Sequence, residues 1–225
     1  MHTLIDRAEQ YLTQETAPFW EAYQQAFTSA LAGVRVSAAA GAELPYAEAL
    51  ATVQDWLCTL EAERGQLFII GNGGSAGVAG HLAVDFLKNG NLRAMAFHDA
   101  PLLTCISNDC GYEEVFALPL SRFAGPGDLA ICISSSGTSE NILRGARTAL
   151  DAGARVITCT GFRPDNPLRS LGHLNYYVPS WSYGIVETLH QFIIHSFLDA
   201  KLHCADSRNV FFRNQPFDPS QPSAL

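Results

Sequence analysis

The chain has 225 residues, of which 48% are hydrophobic, and this length and composition suit one domain with a sizeable core. Its 22 acidic and 14 basic residues leave a formal net charge of −8, which argues against general nucleic-acid binding, because binding a phosphate backbone requires clustered lysine and arginine. No apolar run reaches the roughly 18 residues of a membrane span, and the first residues lack the basic start and apolar block of a signal peptide.

The six cysteines are scattered along the chain and form no C-x-x-C pair. Several lie in apolar runs, so we interpret them as buried, reduced thiols. We therefore expect a cytoplasmic protein with no membrane partner and no nucleic-acid partner.

Residues 1–65 are predicted to form a helical segment. Apolar residues recur at helical spacing over 4–34 and again over 47–64, and Gly41 and Pro45 separate the two stretches. The prediction is a helical hairpin whose apolar faces are larger than a short surface helix needs. Packing against another subunit and packing on the chain's own sheet both explain these faces.

From residue 66 short apolar runs alternate with helical patterns. The predicted strands are 67–71, 93–97, 129–134, 155–159 and 174–178, and the predicted helices are 75–88, 99–107, 111–124, 139–152 and 183–204. Short apolar strands that alternate with helices form parallel sheets covered on both faces, so we predict an α/β fold, a three-layer αβα sandwich with a five-stranded parallel sheet. This domain is expected over 66–206, and residues 207–225 are expected to form a tail.

Two glycine- and serine-rich loops each follow a predicted strand, Gly71–Ser75 and Ser134–Ser139. Such loops offer free backbone N–H groups and hydroxyls at the positive end of a helix, which is a ready anion site. In parallel sheets ligands bind beyond the carboxyl ends of the strands, where both loops lie. The second loop has four serines and a threonine in six residues, more than helix capping requires. Together the loops predict a phosphorylated small molecule as ligand.

The first loop fits neither common nucleotide-binding pattern. Gly77 falls one place too late for the dinucleotide fingerprint, and no Lys-Ser or Lys-Thr follows as in a Walker loop. We therefore expect no nucleotide and no organic cofactor.

Four motifs extend this pattern: Gly-Asn-Gly-Gly-Ser-Ala at 71–76, Ser-Asn-Asp-Cys-Gly-Tyr-Glu-Glu-Val-Phe at 107–116, Pro-Gly-Asp at 126–128 and Ile-Ser-Ser-Ser-Gly-Thr-Ser-Glu-Asn at 133–141. In combination they resemble the sugar isomerase (SIS) domain, and more closely its phosphoheptose isomerase branch, from about residue 50 to 204. The resemblance implies a flavodoxin-like parallel sheet and a homotetramer with active sites at subunit contacts. It also implies conversion of sedoheptulose 7-phosphate to a heptose 7-phosphate.

The resemblance also implies site residues. Ser134, Ser136 and Ser139 match the positions that bind the substrate phosphate, with Ser75 nearby. Asn72 and Asp99 match sugar-contacting positions. The full expected substrate-binding set is Asn72, Gly73, Ser75, Asp99, Ser134, Ser135, Ser136, Gly137 and Ser139.

The catalytic positions match with departures. His81 and Asp85 share a helix face, where the family has His and Glu, and His195 matches the family's His. Glu187 stands where the family has Gln, and Gly184 stands where it has Asp. These departures leave the phosphate site intact, but they leave the exact sugar and the metal open.

Isomerising an aldose and a ketose moves a proton between C1 and C2 through an enediol, which needs a base and an acid. We expect Asp85 or Glu187 as the base and His195 as its partner. The family binds zinc at the positions of His81, Asp85, Glu187 and His195. Glu187 and His195 lie eight residues apart, roughly 12 Å along a regular helix, so a shared ion requires an irregular helix or ligands from different subunits.

The leading functional hypothesis is an isomerase of a seven-carbon sugar phosphate. One alternative is a related longer ketose phosphate, such as an octulose phosphate. Another is a non-catalytic phosphosugar-binding protein, or one associated with the replication initiator. His98 is a further candidate for substrate contact. Trp181 and Tyr183 are candidates either for a sugar pocket or for core or interface packing, and His190 is expected to serve packing or a subunit contact.

Overall fold

The computed structural model describes residues 18–205. Within this range the strands form one seven-stranded sheet. Its strands are β1 (Arg35–Ala38), β2 (Glu43–Leu44), β3 (Gln66–Gly71), β4 (Arg93–Met95), β5 (Leu129–Ser134), β6 (Arg155–Thr160) and β7 (Leu174–Tyr177). The strand order is β2-β1-β7-β6-β5-β3-β4. The strands from β7 to β4 are parallel, and β1 is antiparallel to both of its neighbours.

Helices cover both faces of the sheet. They are α1 (18–32 within the described residues), α2 (Tyr46–Ala62), α3 (Gly74–Lys88), α4 (Ala100–Cys110), α5 (Ala117–Phe123), α6 (Glu140–Asp151) and α7 (Tyr183–Ala205). Buried side chains of α2, α3 and α7 form one apolar cluster with the sheet, and those of α4, α5 and α6 form the other. The structure thus confirms the predicted three-layer α/β class.

The central strands read as continuous apolar runs because both of their faces are buried. In β3, Leu67 and Ile69 enter the cluster with α2, α3 and α7, whereas Phe68 and Ile70 enter the opposite cluster. This alternation follows from the two-residue period of a strand. Burial on both sides fixes the register of β3, and therefore fixes where the chain leaves the sheet at Gly71.

The helical prediction is wrong over residues 35–44, where the chain forms β1 and β2. Val36 pairs with Tyr176 of β7, and Val36 is buried. The strand β7 would otherwise present an unpaired edge, and β1 supplies partners for its backbone groups. The sheet therefore has two antiparallel strands beyond the five predicted. The helical prediction for residues before 18 and the tail prediction at 207–225 lie outside the described residues, and the domain division stays a prediction.

The cysteine interpretation is wrong in part. Cys132 and Cys159 are buried, but Cys58, Cys105 and Cys110 are exposed, and all five are free thiols. Burial raises the pKa of the Cys132 thiol to about 12. Within residues 18–205, no helix combines the length and hydropathy needed to cross a membrane.

We expect Gly145→Ala to destabilise the fold, because α6 lies directly on β3 at this position. A Cβ at residue 145 would be 2.7 Å from Ile70 Cδ1 and 3.2 Å from Phe116 Cβ. The expected cost is about 1–3 kcal/mol in the free energy of unfolding, measured with urea. Gly80→Ala is the matched control, since a Cβ there meets nothing within 4 Å. It should stabilise α3 by about 0.5–1 kcal/mol. Equal stability of Gly145→Ala and the parent chain would contradict this packing.

Candidate active site

The two predicted loops meet at one point of the sheet. After β3 the chain moves to β4 on one side, and later continues from β5 on the other, so the direction of winding reverses between β3 and β5. Ligands of such sheets bind at this switch point, beyond the carboxyl ends of the strands. Gly71 at the end of β3 pairs with Ile133 near the end of β5, so the loops that follow are neighbours.

A crevice of about 260 Å³ lies between the loops. It is lined by Asn72, Gly73, Gly74, Ser75, Ile133, Ser134, Ser135, Ser136, Ser139, Tyr183 and Glu187. Seven of the nine predicted substrate-binding residues belong to this lining, and Gly137 and Asp99 do not. The N-termini of both α3 and α6 open at the crevice, so their unpaired N–H groups and dipoles favour an anion there.

The second loop, residues 134–139 and called the serine loop below, keeps hydroxyl groups available for a ligand. The hydroxyl of Ser139, the N-cap residue of α6, makes no capping hydrogen bond. The hydroxyl of Ser134 accepts from the N–H of Gly137 at 3.2 Å and donates to the Ser139 hydroxyl at 3.4 Å. Ser136 Oγ accepts from the backbone N–H and the hydroxyl of Thr138. The loop therefore holds its hydroxyls in two pairs, Ser134 with Ser139 and Ser136 with Thr138.

Asn166 packs against Gly137 of this loop, a contact that the sequence did not predict. A Cβ on Gly137, which has a φ of +65°, would lie 1.9 Å from Asn166 Oδ1. The amide of Asn166 donates to the carbonyls of Gly161 and Arg163 and accepts from the N–H of Arg169. The Asn-Pro pair at 166–167 indicates a turn, but no sequence signal indicates that this turn lies against the serine loop.

We expect Gly137→Ala to weaken binding of a phosphate ester. Alanine is strained at the left-handed φ of residue 137, and its Cβ would overlap the Asn166 amide. The serine loop must therefore move. Calorimetric titration with sedoheptulose 7-phosphate should show an affinity lower by about tenfold or more, the loss of one or two loop hydrogen bonds to a charged group. Gly125→Ala is the control, because the atom nearest to a Cβ there, Asp128 Oδ2, is 4.0 Å away, an ordinary van der Waals distance. Equal affinity of the Gly137→Ala variant would refute the role of this loop.

A second group of functional side chains lies further along the contact between α3 and α7. His81 Nε2 is 3.2 Å from Asp85 Oδ2, and His195 Nδ1 is 3.9 Å from the same oxygen. The potential ligand atoms of the three residues lie within 4.8 Å of one another. Asp199 lies one turn after His195 on α7. Burial raises the pKa of the Asp199 carboxyl, while the His195 charge lowers it and the Asp85 carboxylate raises it further.

Glu187 does not join this group in the described protomer. Its carboxylate lies against Gly74, where an added Cβ would be 2.2 Å from Oε2. The helices α3 and α7 run side by side in the same direction. Glu187 and His195 are eight residues apart on α7, which is roughly 12 Å along a regular helix. One protomer thus divides the four expected zinc ligands between two places: Glu187 in the crevice, and His81, Asp85 and His195 outside it.

The remaining candidates have local partners. Asp99 caps α4 by accepting from the N–H of Leu102 at 3.3 Å. His98 Nε2 lies 3.0 Å from the carbonyl of Gly71, and burial lowers the pKa of His98, partly offset by this bond. A neutral His98 therefore ties the segment after β4 to the first loop.

The buried His190 is a packing residue, as expected. Its Nε2 lies 3.0 Å from the Thr160 carbonyl, and burial lowers its pKa to about 4, so the ring is neutral and donates. Tyr183 lines the crevice, and its ring packs edge-on against Phe162. Phe162 also stacks on the exposed Trp181.

Comparison with known proteins finds similar sequences and a similar fold. The family model described as the SIS domain matches residues 42–161. A phosphoheptose isomerase of Aquifex aeolicus is 33% identical over 151 residues, which are 64% of this chain and 78% of that relative. A phosphoheptose isomerase of Helicobacter pylori (strain Shi470) is 35% identical over 147 residues, or 63% of this chain and 76% of the relative.

A solved structure gives the same fold. The phosphoheptose isomerase from Neisseria gonorrhoeae superimposes with a TM-score of 0.70 at 24% identity, covering 84% of this chain and 99% of that one. The doubly wound sheet with a crevice at its switch point defines an α/β protein. The chain belongs to the SIS domain family.

Proposed function

We propose that this protein is an aldose–ketose isomerase that converts sedoheptulose 7-phosphate to a heptose 7-phosphate. The observation that carries the proposal is the crevice at the switch point, where two helix N-termini and the serine loop converge beside a carboxylate. Curated relatives of 33–35% identity, matched over about three quarters of their length, are phosphoheptose isomerases.

The phosphate of the sugar binds the serine loop in this proposal. Hydroxyls of Ser134, Ser136 and Ser139, with Ser75 from the first loop, donate to the phosphate oxygens. The helix dipoles of α3 and α6 stabilise its charge, which the net charge of −8 cannot do. Asn72 then contacts the sugar, whereas the cap role of Asp99 leaves its sugar contact dependent on the assembled protein.

Glu187 is the proposed base, because its carboxylate lines the crevice itself. It takes a proton from C1 of the ketose and returns it to C2. His195 moves the hydroxyl proton from the oxygen on C1 to the oxygen on C2, so that the proton count balances. General acid–base transfer of this kind contributes about 10²–10⁴-fold in rate.

The group around His195 requires a second protomer to reach a crevice. Apolar side chains are exposed on the same helices, with Val84 57%, Leu87 55% and Phe192 52% exposed. Exposed apolar residues next to functional ones are typical of a contact surface. We therefore propose a homotetramer, in which His195 and Asp85 of one protomer serve the crevice of another.

The donor set around Asp85 fits a zinc ion. Two imidazoles and one carboxylate with their donor atoms within 4.8 Å match the three protein ligands of a catalytic zinc site. His81, Asp85 and His195 would hold the ion, and Glu187 of another protomer is the fourth position that the family resemblance implies. When bound, zinc supplies a Lewis acid that polarises a sugar oxygen.

A longer ketose phosphate is the second candidate substrate. Gly184 lacks a side chain where the resembled family has an aspartate, and the atom nearest to an added Cβ there is the Tyr23 hydroxyl, at 3.4 Å. Gly184 follows Tyr183, which lines the crevice. An octulose phosphate, one carbon longer, is the substrate to compare.

The test is a coupled assay of sedoheptulose 7-phosphate consumption, with an octulose 8-phosphate in parallel. We expect turnover by the parent chain and a fall in kcat of about 10²–10⁴-fold in both Glu187→Gln and His195→Ala. Lys88→Gln, at the far end of α3, is the control. Absence of turnover with either sugar, with and without zinc, would reject the proposal. Activity kept in Glu187→Gln and lost in Asp85→Asn would transfer the base role to Asp85.

Zinc binding has a separate readout. After dialysis against a chelator and then zinc, elemental analysis should find about one zinc per protomer in the parent chain. The His81→Ala and Asp85→Asn variants should retain much less. Zinc content that these substitutions leave unchanged would place the ion elsewhere. Circular dichroism before and after chelation shows whether the fold is preserved.

A further inference from the structure

Three side chains from separate segments meet around the amide of Asn72 in the first loop. Asn72 Nδ2 donates to Asn141 Oδ1 at 2.8 Å, and Asn141 Nδ2 donates back to Asn72 Oδ1 at 2.8 Å. The Tyr112 hydroxyl donates to the same Asn72 oxygen at 3.0 Å. Asn141 is a buried residue in the first turn of α6, and Tyr112 begins the short 3-10 turn before α5. The network thus links three segments of the chain at the crevice.

The backbone of α6 fixes the direction of these hydrogen bonds. The N–H of Ile142 donates to Asn141 Oδ1 at 3.0 Å and is shared with the Ser139 carbonyl, also at 3.0 Å. Because a backbone N–H only donates, the Asn141 atom that it meets must be the oxygen. The Asn141 nitrogen must then face Asn72, and the Asn72 atom opposite it must be an oxygen. A buried backbone group therefore sets the orientation of an amide in the crevice wall.

The remaining capacity of the Asn72 amide follows by counting. An amide oxygen has two lone pairs, and both lone pairs of Asn72 Oδ1 are used, by Asn141 and by Tyr112. An amide nitrogen carries two N–H groups, and Asn141 accepts one of those on Asn72 Nδ2. Since Asn72 lines the crevice, its amide can offer a bound ligand a donor but no acceptor.

We propose that Asn141 and Tyr112 are positioning residues, which hold the Asn72 amide as a fixed hydrogen-bond donor to a sugar oxygen. The inference rests on the proposed function for the nature of the ligand. A ketose carbonyl oxygen only accepts, and so does the enediolate oxygen that forms from it. A donor that cannot rotate into an acceptor is complementary to both.

The test is a double-mutant cycle on kcat/KM for sedoheptulose 7-phosphate. Asn141→Asp keeps an acceptor for Ile142 and suits the first turn of a helix, but it removes the donor to Asn72. Tyr112→Phe removes the other donor. We expect losses of about tenfold for Asn141→Asp, about threefold for Tyr112→Phe and tenfold or more for Asn72→Ala, as for single hydrogen bonds.

The combined variants decide the matter. In the Asn72→Ala background, Asn141→Asp and Tyr112→Phe should each change kcat/KM less than about twofold, because the group that they orient is gone. Losses that multiply in full would show that they act without Asn72 and would overturn the proposal. The matched controls are Asn89→Asp at the end of α3 and Tyr46→Phe, whose hydroxyl bonds Ser196 far from the crevice. Tyr112 is half exposed, so Tyr112→Phe should fold and its comparison with Asn72→Ala decides the test even where Asn141→Asp fails to fold.

A second measurement is independent of activity. In ¹⁵N spectra, the side-chain amide signals that Asn72→Ala removes belong to Asn72. Exchange of the N–H that Asn141 accepts should be slow in the parent chain and at least about tenfold faster in Tyr112→Phe or Asn141→Asp, since this exchange requires the network to open. If the parent chain turns over no sugar, the proposed function fails, and exchange alone then decides the positioning. Exchange that both substitutions leave unchanged would overturn it.

Discussion

The parallel pairing of β3 with β5 is the contact on which the rest of the site depends. It sets Gly71 beside Ile133, so the first loop and the serine loop leave the sheet as neighbours. Both strands are buried on both faces, and a slip by one residue would turn every apolar side chain to the wrong cluster. The same hydrophobic pattern that stabilises the core therefore also fixes the separation of the two loops.

The contact between α3 and α7 carries the two groups of proposed site residues. At its start, Glu187 lies against Gly74 and faces the crevice, and two turns further His195 lies beside Asp85. Glu187 and His195 are separated by eight residues, roughly 12 Å along a regular helix, so they do not meet within one chain. In the proposed homotetramer the catalytic groups meet across a contact between protomers, and the exposed apolar side chains on these helices are consistent with that proposal.

Much of the site could be predicted from particular residues, and the failures have definite causes. Ser134, Ser136 and Ser139 follow an unmistakable apolar strand, so their place at the sheet edge followed from the strand–helix alternation. The strand β1 was missed because the apolar–polar alternation from Val34 to Ala38 spans only five residues, and its strand conformation depends on pairing with β7, far along the chain. The roles of Asn166 and Asn141 were equally hidden, because an asparagine's partners depend on which segments fold against it.

The sequence by itself determined the layered α/β class, the two loops and the residue types of the site, because periodicity and loop composition are local properties. Only the tertiary structure decided that Glu187 faces the crevice while His81, Asp85 and His195 gather elsewhere. It alone also decided that the Asn72 amide points in one direction, set by a backbone N–H on another helix. Distances between side chains, and the hydrogen bonds left over for a ligand, depend on the packing of segments that are remote in sequence.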